Sequence, residues 1–216
     1  MLDLEQKDIL NEMMNVFVGD AARLLSELTE HRIYLSVPNL NLVEKGSREN
    51  MENIGLPEVM KGTMLSSALH FGQRFKGKAE LIFPTDKIKE LSFICSGEDM
   101  FFDAEDDLND MDFDLMKEIG NIILNSVVGG IANQIEEELF FSPLEVEVFD
   151  LVDIRKSVER NRDDFILIFA VSFRVENTEI IGAIIINFSL HSIDFLVRKI
   201  DEMRSSLDEE YNTGLA

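Results

Sequence analysis

DLMKEIGNIILN, residues 114–125, sets Asp114, Glu118 and Asn121 at intervals of four and three inside an otherwise apolar helical pattern. At about 100° per residue the three side chains fall within about 60° of one another and form one polar stripe. Near the amino terminus DILNEMMNVFVGDA begins at Asp8 and places Glu12 and Asn15 at the same intervals. The apolar positions opposite each stripe should pack on a sheet: Leu10, Met13, Phe17, Leu24 and Leu28 in the first segment, Met116, Ile119, Ile123 and Val127 in the second. Beyond the amide the stripes continue as Gly19, Ala22 and Ser26, and as Asn125, Gly129 and Ala132. Small side chains there would let another protein's backbone approach closely.

The correspondence extends outward from the two stripes. With Glu12 laid over Glu118 at an offset of 106, Pro38 faces Pro143 at 105 and TMLSSALHFG (63–72) faces ILIFAVSFRV (166–175) at 103. KAELIFPTDKIKELSFI (78–94) and GAIIINFSLHSIDFLVRKI (182–200) each pass from a β-rich run into a helix, with Ser or Thr near the junction as a cap. Each half therefore reads helix, strand, strand, strand, helix. LEVEVFDLV after Pro143, FILIFAVSFRV and EIIGAIIINF are the strands of the second half, with Glu176-Asn177-Thr178 as a tight turn. FGQRFKGKA supplies the matching turn in the first half, and direct turns favour antiparallel pairing. Residues 39–62, rich in Gly, Asn and charge, form a longer connection. The acid-dense 96–114 fits a solvated linker, and no frame in it supplies the glycine that a calcium-binding EF-hand loop needs.

The expected fold class is α+β: a duplicated helix-strand-strand-strand-helix unit with pseudo-twofold symmetry around a mainly antiparallel six-stranded sheet core. Residues 1–216 form a single domain of two repeats, 1–95 and 112–204, joined by an acidic linker, 96–111, and followed by a tail, 205–216.

Composition narrows the function. A chain of 216 residues with 45% apolar content can bury a sizeable core. No run of 18 apolar residues exists and the first twenty residues carry acids, so the expectation is a soluble cytoplasmic protein. The formal charge of -22 would repel phosphate backbones and anionic lipid, which argues against nucleic acid or membrane insertion. A single cysteine, Cys95, excludes an internal disulfide and a thiolate zinc cage, and in the apolar run LSFIC it reads as core. His31, His70 and His191 are scattered without metal-site spacing. No nucleophile paired with a base is visible, and no glycine-rich phosphate loop. Gly129-Gly130 lies mid-helix and reads as a close-packing site. An asparagine can, unaided, orient water, and phosphoryl transfer depends largely on positioning and charge stabilisation. Two trios on separate outward-facing helices should not converge on one metal ion.

These residues resemble the CheC, CheX and FliY phosphatases of bacterial and archaeal chemotaxis. The signature of that family is Asp or Ser, three residues, Glu, two residues, Asn, then 22 residues and Pro. Asp8, Glu12, Asn15 and Pro38 match every interval, and Asp114, Glu118, Asn121 and Pro143 match with 21 residues before the proline. Met13, Met14, Val16 and Phe17 are bulkier than the residues often found around the family's Asn. Two motifs in a chain of this size look CheC-type. The resemblance implies dephosphorylation of a CheY-type response regulator, with no cofactor of the chain's own and magnesium supplied by the regulator. Asn15 and Asn121 would orient the attacking water, Glu12 and Glu118 would pair with the regulator's lysine, and Asp8, Gly19, Asp114 and Asn125 would support docking. The deamidase CheD is a further partner that the resemblance implies. A non-catalytic chemotaxis or flagellar-switch adaptor binding CheY or CheD is the competing expectation.

Overall fold

A computed structural model describes residues 2–38, 40–44, 56, 60–96, 107–150, 164–175 and 178–213. In chain order it contains α1 (Leu4–Thr29), β1 (Ile33–Ser36), β2 (Leu40–Glu44), β3 (Thr63–Gly72), β4 (Gly77–Pro84), α2 (Thr85–Ser96), α3 (Asp110–Gln134), β5 (Phe140–Phe141), β6 (Glu145–Asp150), β7 (Asp164–Val175), β8 (Thr178–Ser189) and α4 (Leu190–Thr213). Most of the expected connection 39–62, positions 97–106 of the acidic linker and Glu176-Asn177 of the expected turn lie outside the described residues. The last helix runs into the stretch expected as a tail.

Apolar residues recur at both parities along the central strands, so both faces of the sheet are buried. Leu65, Leu81, Leu167, Phe169, Ile184 and Ile186 meet the helices in the main core. Met64, Ile82, Ile166, Ile168, Ala183 and Ile185, their neighbours in sequence, join Met60 in a separate cluster. The sheet order is β1-β7-β8-β4-β3-β5, with β2 also on β7 and β6 also on β3. Every pairing is antiparallel. Exchanging the halves reverses this order, so a pseudo-twofold axis passes between β4 and β8. The opening strand of each half pairs with the middle strand of the other half.

Among the described residues eight strands stand where six were expected, because the first strand of each half is interrupted at its proline. Ser36 opposes Ser172 and Leu40 opposes Phe169, so four steps along the edge match three along β7. Phe141 opposes Phe71 and Glu145 opposes Ala68, again four steps against three. Each proline thus sits in a one-residue bulge, where its missing N–H leaves no gap in the ladder.

Two further expectations change. The registers equate Phe71 with Ser172 and Ala68 with Phe169, so TMLSSALHFG corresponds to 164–173 and not to 166–175. A shift of two keeps every side chain on its own face, and the hydrophobic pattern alone does not distinguish the two alignments. Leu24 and Leu28 do not pack on the sheet: they are 40% and 53% exposed. The inward face of α1 is instead formed by Leu10, Met14, Phe17, Val18, Ala21 and Leu25.

Asp3 fixes the start of α1. Its carboxylate accepts from Gln6 N–H at 2.8 Å while the Gln6 side chain accepts from Asp3 N–H at 2.9 Å, a capping box. Gln6 also donates to Asp201 on α4, and Arg204 of α4 bonds Asp3 at 2.9 Å, so the cap doubles as a link between the two helices. The Gln6 N–H, with help from Arg204, holds the Asp3 carboxyl below the usual carboxylate range. A depressed carboxylate stabilises the fold above its unfolded pKa and loses that contribution as pH falls through the folded value. Acidification should therefore fray residues 4–7 in the wild type, seen as fading helical NMR shifts, whereas Asp3→Asn, a cap that does not titrate, should keep them. An identical acid response in both proteins would contradict the assignment.

Candidate functional site

The two stripe-bearing helices lie side by side, and their contact depends on a glycine. A Cβ on Gly130 of α3 would come within 2.4 Å of the Phe17 ring on α1, so the ring lies directly on the glycine. Gly120 has the matching role against the sheet: a Cβ there would stand 2.1 Å from Ser67 Oγ on β3 and 3.5 Å from the Leu144 side chain. Gly120, inside the EIGN of the second motif, therefore seats α3 on β3 while its neighbours Glu118 and Asn121 face outward. Ser67 is fully buried beneath it, and its hydroxyl has no partner among the described residues.

Asp8, Glu12 and Gly19 on α1 are exposed, as are Asp114, Glu118 and Asn121 on α3, while Asn15 and Asn125 are half-buried. Only part of the small-residue continuation of each stripe stays at the surface: Gly19 is exposed, and Gly129 is half-buried with open space where a Cβ would stand. Ala22 and Ala132 are buried, and Ser26 is engaged by the backbone. The outward surface available to a partner thus centres on the acids and amides themselves.

The two motif asparagines differ in what they hold. Asn15 Oδ1 accepts from the backbone N–H of Val37 at 2.8 Å, and Asn15 Nδ2 donates to Asn11 O at 3.0 Å and to Val37 O at 3.4 Å. Val37 is the bulge residue before Pro38. Ser26, further along α1, accepts from Ile33 N–H at 2.9 Å. Side chains of α1 therefore engage backbone at both ends of β1. In the second half the bulge closes differently. Ser142, before Pro143, donates its N–H to His70 O at 2.8 Å, and its hydroxyl accepts from His70 N–H at 2.9 Å. Ser142 stands in the place of Val37, and Ala132 in the place of Ser26. Asn121 is left exposed: its Oδ1 accepts from Asn125 Nδ2 at 2.8 Å, and its Nδ2 has no partner among the described residues.

The roles of Val37, Ser142 and His70 were missed in the sequence, although a hydroxyl residue before Pro143 where Val precedes Pro38 was a visible difference. Gly120 was likewise overlooked as the seat of α3. Among the described residues no three His, Cys, Asp or Glu side chains gather as they would around a metal ion. None of the described helices is long and apolar enough to cross a membrane. On α3 an exposed carboxylate and an oriented primary amide share one face, a pair able to hold a cationic side chain and a water molecule.

No family model matches the chain. Its fold is shared with chemotaxis and flagellar-switch proteins of known structure. FliY from Thermotoga maritima aligns with a TM-score of 0.70 at 15% identity, covering 94% of this chain and 98% of that one. The FliM middle domain from H. pylori aligns at 0.59 with 10% identity, over 92% and 99%. CheX from Vibrio vulnificus aligns at 0.51 with 15% identity, over 82% and 99%.

The seating of α3 is open to test. Gly120→Ala should lower stability by about 1–3 kcal/mol in chemical denaturation, because the new methyl must displace Ser67 or lift the helix. Ser67→Gly in the same chain should restore part of the loss, and absence of any coupling would show that the contact does not determine the helix position.

Proposed function

We propose that the chain is a member of the CheC, CheX and FliY family and hydrolyses the aspartyl phosphate of a CheY-type response regulator. The observation that carries the reading is the Asn121 carboxamide, which stands exposed with its oxygen held by Asn125 and its NH2 group without a partner among the described residues. The bond with Asn125 restrains the amide on the outward face of the helix. The second lone pair of Oδ1 can accept from a water, and Nδ2 can donate to that water or to a phosphoryl oxygen. Held in line, the water attacks phosphorus, the bond from phosphorus to the regulator's aspartyl oxygen breaks, and the products are a free carboxylate and inorganic phosphate. Positioning of this kind supplies much of the acceleration available to phosphoryl transfer.

Glu118, one turn before Asn121 on the same face, pairs with a lysine of the regulator. A charge-assisted bond at that distance sets the register in which the amide meets the phosphoryl group. Asp114 and Asn125 extend the docking surface along α3, as Asp8, Glu12 and Gly19 do on α1. The magnesium ion that such regulators carry remains the regulator's, and the place of action is the cytoplasm.

A second reading is supported by the likeness to the FliM middle domain and by the engagement of Asn15 with backbone. In that reading the chain is an adaptor that docks CheY or CheD without hydrolysis. Decay of a phosphorylated CheY-type regulator, with magnesium, distinguishes the two. The wild-type chain should accelerate decay on the order of a hundredfold, and Asn15→Ala/Asn121→Ala should abolish the acceleration while still binding the regulator. Unchanged decay across several regulators would leave the adaptor reading standing.

A further inference from the structure

We infer that the two motif copies have separate roles: Asn121 is the one acting asparagine, and Asn15 is a latch that closes the proline bulge of the first half. This rests on the phosphatase reading for the role of Asn121, while the latch stands on hydrogen bonds alone. Asn15 commits both ends of its carboxamide. Its oxygen takes the Val37 N–H at 2.8 Å, and its nitrogen serves the Asn11 and Val37 carbonyls at 3.0 and 3.4 Å. An amide so engaged keeps only the second lone pair of its oxygen; to donate to a water or a phosphoryl oxygen its nitrogen must give up a bond it already makes, and turning the group outward leaves the N–H of Val37, itself a buried residue, without its acceptor.

The second half shows how an asparagine is released from that duty. Ser142 meets the same requirement by exchanging bonds with His70 on the neighbouring strand, through both its N–H and its hydroxyl. Nothing at that bulge then calls on Asn121, which turns outward and is oriented by Asn125 from its own helix. The position equivalent to Asn125 in α1 is Gly19, which has no side chain with which to orient an amide. A rotated Asn15 would lack the bond that aims Asn121. Two differences, Ser142 for Val37 and Asn125 for Gly19, thus point to the same assignment.

The test combines two readouts on the full chain. In regulator dephosphorylation, Asn121→Ala alone should remove the acceleration as completely as the double substitution does. In thermal unfolding, Asn15→Ala should lower Tm by about 3–8 °C, the shift expected for losing a few hydrogen bonds with one partner orphaned in a chain of this length, while Asn121→Ala should leave Tm within about 1 °C. The inference is overturned if Asn121→Ala keeps half or more of the acceleration, or if Asn15→Ala abolishes it at wild-type Tm. Should the wild type fail to accelerate decay at all, the phosphatase reading falls, and the difference in Tm between the two variants still decides the latch.

Discussion

Neither half of this chain completes its own sheet, and the rest of the architecture depends on that constraint. β4 and β8 pair at the centre, and each half then lends its first strand to the far side of the other. A half folded alone would present unpaired edges of strongly apolar strands, a state that globular proteins avoid. Cooperative folding follows, since the edge strand of one half is ordered only when the middle strand of the other half is in place. The pairing also fixes where the outward surface lies. α1 and α3 precede the exchanged strands, so both must cross the sheet close to the bulges they lead into.

The helices are held by shape more than by charge. Gly130 takes the Phe17 ring and Gly120 takes Ser67, two contacts in which the absence of a side chain determines the approach. The ion pairs Arg23–Glu27, Lys87–Glu90 and Arg204–Asp3 lie at the surface, where single pairs contribute little. A large apolar core under two closely seated helices gives a rigid platform, and rigidity is what an amide needs if it is to hold a water to within a fraction of an ångström. The acids beside it are exposed, so they can meet a partner's cation without first losing a bond of their own.

Much of this was legible in the residues. The paired spacing of Asp8, Glu12 and Asn15 with Asp114, Glu118 and Asn121 located both helices and their outward faces. The strands emerged from the apolar runs between them, and of the Gly129-Gly130 pair expected to pack closely, Gly130 does so and Gly129 does not. What the sequence did not reveal came from two physical ambiguities. A period of two cannot distinguish an offset of 103 from one of 101, so the register of TMLSSALHFG was misaligned while its faces were right. A period of 3.6 could not say how far the apolar face of α1 rotates along 26 residues, and Leu24 and Leu28 ended outside it. The Asn15 latch was hidden for another reason. The interval from Asn to Pro was read as a family spacing, yet it is also the span that brings the amide to the residue before the proline. Local pattern carries no information about such a long-range bond.

The exchanged strands have a consequence for the history of the chain. A sheet in which each half donates its edge to the other has the arrangement that a symmetric dimer would have if its two copies were covalently joined. In such a dimer every substitution appears twice, so a residue needed for folding in one copy cannot be altered without altering its twin. Fusion lifts that restriction. Ser142 can stand at one bulge and Val37 at the other, and Gly19 where its counterpart is Asn125, each judged only in its own setting. Duplicated chains of this kind can therefore divide upkeep and chemistry between copies, which two identical subunits encoded by one gene cannot do.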